Sequence, residues 1–155
     1  MEKAIYFDMD GTIADLYGVE GWLNCLERSD YSPFVLAQPM FDEIAFAKLL
    51  NKLKRKGYHI GIVSWTPKHG TKQFNKRVAD CKRFWLKEHI FTIFDEIKIV
   101  PYGTPKSSVV KYPDGILFDD EKNNRGEWRG TPFPPSEIEK ALTKLLWAPY
   151  FLLTN

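Results

Sequence analysis

Residues 6–15 read YFDMDGTIAD, and this stretch decides the fold predicted for the chain. The apolar residues 4–7 lead directly into Asp8, and Asp10 and Gly11 follow. A buried strand that ends in two carboxylates, followed by a turn that glycine permits, places both acids at the open end of a sheet. Ligands bind at that end in open α/β sheets. Two carboxylates held so close repel each other, and a hard divalent cation such as Mg²⁺ is their natural partner.

The composition is that of one globular domain. The 155 residues are 44% hydrophobic and 27% charged, so we expect residues 1–155 to bury a sizeable core as a single domain. The net charge of +2 gives no general case for nucleic acid. No apolar run approaches the ~20 residues needed to span a bilayer, and no signal-peptide pattern precedes the first strand. We therefore expect a cytoplasmic protein without membrane contact, in which Cys25 and Cys81 are reduced thiols.

Apolar runs alternate with helical patterns along the chain, which is typical of an α/β fold with a parallel sheet. Strands are predicted at residues 4–8, 58–64, 96–100 and 115–118. Helices are predicted at residues 42–56, 71–88 and 135–147, with a helical turn at 106–110. The helix at 71–88 is expected to bury Phe74, Val78, Cys81 and Trp85. Residues 16–41 are predicted to form a small lid or insertion, with a short helix at 21–27.

Polar residues that could take part in catalysis or metal binding lie at the ends of three of these strands or begin the helical turn. They are Asp8 with Asp10, Ser64, Lys106, and Asp119 with Asp120. Their order resembles the haloacid-dehalogenase-like (HAD) superfamily of phosphotransferases, whose four motifs read here as DMDGT, IGIVSW, TPKSS and ILFDD. The resemblance covers nearly the whole chain. It implies a Rossmann-like parallel sheet with helices on both faces.

The chemistry of phosphoryl transfer suggests a role for each motif residue. Asp8, the first acid after the strand, is the expected nucleophile, which would form an aspartyl-phosphate intermediate. Asp10 is expected to protonate the leaving oxygen and then to activate water, and this needs a raised pKa. Ser64 would donate a hydrogen bond to the transferring phosphoryl group. Lys106 would pair with the same group and with Asp8.

The expected cofactor is Mg²⁺, which would bridge Asp8 and the phosphate. By resemblance, Asp10 supplies its backbone carbonyl to the metal. Asp119 and Asp120 complete the metal site, one directly and the other through water, and the sequence leaves open which is which.

Neighbouring residues are expected to assist. Gly11 and Thr12 are predicted to bind substrate together with Ser64, Trp65 and Lys106. Thr12 is also expected to orient Asp10, and Asn124 could buttress the acidic loop.

A finer resemblance concerns the substrate. The runs KRFWLKEHIFTIFDEIKIVPYG and ILFDDEKNNRGEW, and DMDGTIAD followed by KRKGYHIGIVSW, look like the 5′(3′)-deoxyribonucleotidase branch of the superfamily. That branch implies hydrolysis of nucleoside monophosphates, although it usually has Val where Thr12 stands and a larger helical cap. A base would stack on an aromatic side chain, and Trp65 is favoured because it adjoins Ser64. The aromatic candidates, each of which could instead be ordinary core packing, are Trp22, Tyr31, Phe34, Trp65 and Trp128.

Two other functions stay open. A phosphatase acting on a nucleic-acid end or a phosphoprotein would use a basic run that also fits a solvated helix face, namely Lys68, Lys72, Lys76, Arg77, Lys82, Arg83 and Lys87. A binding module that kept the fold and lost turnover is disfavoured by the complete set of motif residues. The apolar residues 145–153 either pack onto the sheet or form a homodimer contact that also shields the open site.

Overall fold

The computed structural model describes residues 2–154, which fold around a five-stranded parallel sheet flanked by helices. In chain order the strands are β1 (Ala4–Phe7), β2 (Ala14–Asp15), β3 (Gln38–Pro39), β4 (His59–Trp65), β5 (Glu96–Val100), β6 (Ile116–Phe118) and β7 (Thr131–Phe133). The helices are α1 (Trp22–Glu27), α2 (Ser32–Leu36), α3 (Glu43–Arg55), α4 (Lys72–His89), α5 (Lys122–Glu127), α6 (Ile138–Trp147) and α7 (Phe151–Thr154). Short 3₁₀ turns span Leu16–Gly18, Lys106–Ser108 and Pro135–Glu137.

The large sheet has the strand order β5-β4-β1-β6-β7, with every neighbouring pair parallel. This confirms the predicted α/β class and is compatible with a Rossmann-like fold. The chain first adds strands on one side of β1 and then on the other. In such sheets, ligands bind beyond the carboxyl ends of the strands at the point where this order reverses. The loop after β1 therefore lies at the favoured position for a site.

The two faces of the sheet are covered differently. All four residues of β1 are fully buried, which explains why this apolar run forms a central strand. Ile5 and Phe7 belong to the larger core, together with apolar side chains of α3, α4 and α6. Tyr6 belongs to a smaller core on the opposite face, together with Val110 and Trp128. Connections between parallel strands are right-handed as a rule, so a chain that reverses its direction across the sheet after β5 is expected to place its later connection on the other face.

The helix boundaries agree with the predicted ones to within a few residues. Asp42 caps α3 by accepting a hydrogen bond from Ala45 N at 2.8 Å, and Gly57 follows the helix with a φ of +89°. Thr71 caps α4 in the same way, through Phe74 N at 3.1 Å.

The buried face of α4 includes Phe74, Val78 and Trp85, as predicted, but not Cys81. Cys81 is only partly buried, whereas Lys82, predicted within a basic run that suits a solvated face, has 1% of its surface exposed. A lysine therefore enters the interior at the position next to the predicted cysteine.

Several elements were not predicted. β7 has Pro132 at its centre, and proline is tolerated there because β7 is an edge strand. The short helix α2 begins with a proline in its first turn, and α5 contains Gly126, so neither has a strong helical pattern. The predicted short helix at 21–27 is confirmed as α1. β2 and β3 pair antiparallel and bring the two ends of the 16–37 segment together.

The carboxyl-terminal residues pack partly onto the sheet. Tyr150 is buried, its ring lies 5.7 Å from that of Tyr58, and its hydroxyl donates to Ala4 O at 3.4 Å. Trp147 is 85% exposed. Ala4 begins β1, so this segment lies at the amino ends of the strands, and the homodimer expected through it stays a prediction. Among residues 2–154, no helix is long and apolar enough to cross a membrane.

Candidate active site

Three carboxylates meet where β1 and β6 end. The register pairs Phe7 with Phe118, so the residues that follow them, Asp8 and Asp119, emerge side by side. Asp8 N continues the ladder by donating to Phe118 O at 2.9 Å. One oxygen from each of Asp8, Asp119 and Asp120 lies within 4.8 Å of the others. The predicted pairing of the first and last acidic motifs is therefore present in the structure.

Lys106 stands between two of these carboxylates. Its Nζ donates to Asp8 Oδ1 at 2.8 Å and to Asp119 Oδ2 at 2.6 Å, and the residue is 6% exposed. Burial lowers the pKa of Lys106, but the charges of Asp8 and Asp119 outweigh it and raise that pKa above its usual value. Lys106 is thus a fixed cation that offsets part of the negative charge.

The two acids of the ILFDD motif have different environments. Asp119 is fully buried, accepts from Glu121 N at 2.9 Å, and has the Asn124 amide nitrogen 3.3 Å from its Oδ2. Asp120 lines a cavity. Burial, followed by the charge of Asp8, raises the pKa of Asp119 to about 6 and that of Asp120 to about 7. Asn124 therefore supports the acidic loop, as predicted, by contacting Asp119.

Asp10 has a partner that the sequence did not reveal. Lys82 Nζ donates to Asp10 Oδ2 at 2.8 Å, to Ser64 Oγ at 2.8 Å and to Trp65 O at 2.7 Å. The Asp10 side chain is 21% exposed and lies outside the group of three carboxylates. Burial raises the pKa of Asp10, Lys82 opposes that shift, and Asp8 adds to it. The direction of the shift is the one that an acid/base carboxyl requires.

The placement of Thr12 corrects one prediction. Its hydroxyl donates to Asp8 Oδ2 at 3.1 Å and accepts from Asp120 N at 3.1 Å, instead of orienting Asp10. The backbone amides of Thr12 and Ile13 both donate to Met9 O, so the chain makes a tight turn that places Thr12 beside Asp8. Gly11 begins this turn with a φ of +76°. Neither Gly11 nor Thr12 is among the residues lining the cavity described next.

A cavity of about 750 Å³ opens above these polar groups. Its floor includes the predicted motif residues Asp8, Asp10, Ser64, Lys106 and Asp120. The 16–41 segment provides one wall through Leu16, Tyr17, Trp22, Leu23, Leu26, Glu27, Ser29 and Phe34. Burial, followed by the charge of Asp10, raises the pKa of Tyr17.

The facing wall is built around Trp65. Its ring lies 4.8 Å from that of Tyr102, and its Nε1 donates to Thr104 O at 2.8 Å, which fixes the indole in place. Lys106 Nζ is 5.4 Å from the centre of the same ring. Trp65 therefore adjoins both the polar floor and the open part of the cavity.

The other aromatic candidates divide into two groups. Trp22 and Phe34 line the cavity, whereas Tyr31 does not. Trp128 lies in the smaller core, where its Nε1 donates to Gly115 O at 2.9 Å. Trp128 is therefore a packing residue, which is one of the two alternatives that its sequence context left open.

No protein-family model matches the sequence, and no curated protein is significantly similar to it.

Proposed function

We propose that this protein is a Mg²⁺-dependent phosphomonoester hydrolase of the HAD type, working through an aspartyl-phosphate intermediate. One observation carries the proposal. Side chains from four separate sequence motifs converge on the floor of a single cavity, and the two aspartates of the first motif, Asp8 and Asp10, each contact a different buried lysine. Buried charge clusters with raised carboxyl pKa values are typical of catalytic sites.

The chemistry of the acidic cluster suits a magnesium ion. Asp8, Asp119 and Asp120 offer hard oxygen donors close together. The single positive charge of Lys106 does not balance the negative charge of the three carboxylates. Asp8 and Asp120 would hold the ion directly, because both line the cavity, whereas Asp119 is fully buried behind it and contacts Lys106 and Asn124. The backbone carbonyl of Asp10 is the further ligand that the HAD resemblance suggests. When bound, the ion would neutralise charge on the phosphoryl group and the carboxylates.

The proposed reaction has two halves. In the first, an Asp8 carboxylate oxygen bonds to phosphorus while the bond from phosphorus to the leaving oxygen breaks, and Asp10 gives its proton to that oxygen. In the second, a water oxygen bonds to phosphorus, Asp10 takes the water proton, and the phosphorus–Asp8 bond breaks to release inorganic phosphate. Ser64 and Lys106 would hold the phosphoryl oxygens through both halves.

A nucleoside monophosphate is the proposed substrate. The cavity is within the range of about 300–1,000 Å³ that is usual for small-molecule sites. Trp65 and Tyr102 give it an aromatic wall next to the polar floor, where a base could stack. The resemblance to the deoxyribonucleotidase branch points the same way.

A phosphorylated nucleic-acid end is the second candidate. Lys68 and His69 line the cavity, and exposed basic residues of α4, including Lys72 and Arg77, continue beyond it. If the substrate is a nucleic-acid strand that contacts these basic residues, its binding affinity should fall steeply as the salt concentration rises. The affinity for a mononucleotide should depend only weakly on salt.

A substrate screen tests the proposal. Phosphate release is measured with Mg²⁺ over nucleoside monophosphates, sugar phosphates, and oligonucleotides carrying a 3′- or 5′-phosphate. We expect release from nucleoside monophosphates that a chelator abolishes and Mg²⁺ restores. Activity that survives metal removal would contradict the HAD assignment, and full activity of Asp10→Asn would contradict the acid/base role.

The proposed intermediate has its own test. In Asp10→Asn with p-nitrophenyl phosphate, whose leaving group needs no proton, the aspartyl-phosphate should still form but its hydrolysis should become slow, so the phosphoenzyme should accumulate. Mass spectrometry should then find one phosphoryl group on the peptide that contains Asp8.

A further inference from the structure

Lys82 is a buried charged residue that contacts two residues of the cavity floor, Asp10 and Ser64, and no motif explains it. It projects from the middle of α4, is 1% exposed, and reaches both Asp10 and Ser64. We propose that Lys82 is a positioning residue, which leaves Asp10 Oδ1 as the oxygen that transfers the proton and turns the Ser64 hydroxyl hydrogen toward the phosphoryl group. This inference rests on the proposed phosphatase function.

The hydrogen bonds of Lys82 separate its role from that of Lys106. An ammonium group has three N–H donors, and Lys82 has three acceptors at 2.7–2.8 Å in Asp10, Ser64 and the Trp65 carbonyl. All three donors are therefore used within the protein, so Lys82 has none to give to a substrate. Lys106 contacts two carboxylates among the described residues, so its third donor can serve the phosphoryl group.

The consequence for Asp10 follows from donor and acceptor chemistry. Its Oδ2 accepts a hydrogen bond from a permanent donor, and a proton on the same oxygen would face the ammonium charge. A protonated Asp10 therefore carries its proton on Oδ1. In the first half of the reaction that proton passes from Oδ1 to the leaving oxygen as the bond to phosphorus breaks.

Ser64 is oriented by the same group. An ammonium can only donate, so Ser64 Oγ must be the acceptor in their 2.8 Å hydrogen bond. The single hydroxyl hydrogen then points away from Lys82. Because Ser64 lines the cavity, this hydrogen is available to a phosphoryl oxygen.

The 16–41 segment helps to keep Lys82 in place. Phe34 of α2 has its ring centre 5.5 Å from Lys82 Nζ, close enough for a cation–π contact. Phe34 and the α4 residues Phe74 and Val78 form one apolar cluster. Water is thus excluded from the lysine by the same segment that forms a wall of the cavity.

The test compares two esters that differ in their need for a proton. The nitrophenolate of p-nitrophenyl phosphate leaves without one, whereas the sugar oxygen of a nucleoside 5′-monophosphate requires one. In Lys82→Met we expect kcat/KM to fall about 100-fold or more for the nucleotide and about tenfold or less for the nitrophenyl ester. Lys48→Met is the matched control, since Lys48 is exposed on α3, and it should change neither value.

The results for the two esters distinguish the role of Lys82 from the proposed phosphatase function. Equal losses for both esters in Lys82→Met would overturn the proposed role of Lys82 toward the Asp10 proton while leaving the phosphatase assignment intact. A wild-type protein that releases phosphate from neither ester would overturn the function itself.

A double variant decides the matter if Lys82→Met does not fold. Asp10→Asn with Lys82→Met replaces the ion pair by neutral side chains, so no unpaired charge is left in the floor. If Lys82 acts mainly through Asp10, adding Lys82→Met to Asp10→Asn should lower the nucleotide kcat/KM by no more than about tenfold. A further loss of about 100-fold or more would show that Lys82 acts independently and would overturn the proposal.

Discussion

Carboxylates that are buried or partly buried lie at both ends of the sheet, but their hydrogen-bond and charge environments differ. At the amino end, Glu96 accepts hydrogen bonds from Tyr6 OH at 2.9 Å and Lys111 N at 2.9 Å, and His59 Nε2 lies 3.1 Å away. At the carboxyl end, Asp8 and Asp119 share Lys106, Asp120 lies close to both, and Asp10 faces Lys82.

The difference lies in the balance of charge and donors. The Glu96 carboxylate is partly buried and has a hydrogen-bond donor for each oxygen, and burial, followed by the Glu96 contact, raises the pKa of Tyr6. The carboxylates after β1 and β6 outnumber their cations and open onto a cavity. A satisfied network stabilises the fold, whereas an unbalanced one needs a metal or a substrate to complete it.

Removing the nucleophile should give the largest effect. Asp8→Asn should lower kcat/KM by at least about 10³-fold, because an amide cannot form the phosphoenzyme. The measurement is steady-state phosphate release, with circular dichroism to show that the fold is kept. Asp114→Asn is the control, since this carboxylate is 67% exposed and its ion-pair partner within residues 2–154 is Arg129 at 3.3 Å. Retention of activity by Asp8→Asn would mean that another group attacks phosphorus.

A substitution at the amino ends of the strands should change the stability of the fold and not the rate of phosphate release. Glu96→Ala leaves Tyr6 and the Lys111 amide without their acceptor, so the free energy of unfolding should fall by about 2–3 kcal/mol. Urea denaturation measures this loss. Activity per folded molecule should stay within about twofold of wild type. A large loss of activity at full folding would mean that the two ends of the sheet are coupled.

Gly11→Ala should weaken metal binding through Asp120. The φ of +76° costs a non-glycine residue about 1–2 kcal/mol, and an added Cβ would lie 2.8 Å from the Tyr17 ring and against Asp120 Oδ2. We expect a loss of about tenfold or more in Mg²⁺ affinity, measured by titration calorimetry. Gly57→Ala is a matched control, because Gly57 has a φ of +89° and its Cβ would meet nothing within 4 Å. It should lose similar stability and no metal affinity.

The sequence predicts the residues that end strands better than those that project from helices. Asp8 and Ser64 could be placed because a parallel sheet brings the ends of its strands together. Lys82 could not, because its direction depends on how α4 is rotated against the sheet, and lysine usually signals a solvated face. Its spacing of four from the buried Val78 was the available clue. Thr12 was placed beside the wrong aspartate because the Met9 turn has no distinct sequence pattern.

The last predicted effect is a change of stability with pH at the carboxyl end. In the folded protein the pKa of Asp119 is about 6 and that of Asp120 about 7, well above the ordinary value of about 4 in an unfolded chain. At pH values between the unfolded and the folded pKa, these carboxyls keep their protons in the folded state and lose them in the unfolded state. The free energy of unfolding should therefore fall as pH rises from about 4 to about 7. Without divalent metal, the melting temperature should therefore be lower at pH 8 than at pH 5, and Mg²⁺ should raise it more at pH 8. Asp120→Asn should flatten this dependence, whereas Asp114→Asn should not. A metal-free melting temperature that rises over the same range would show that these carboxylates are not destabilised by burial and by one another.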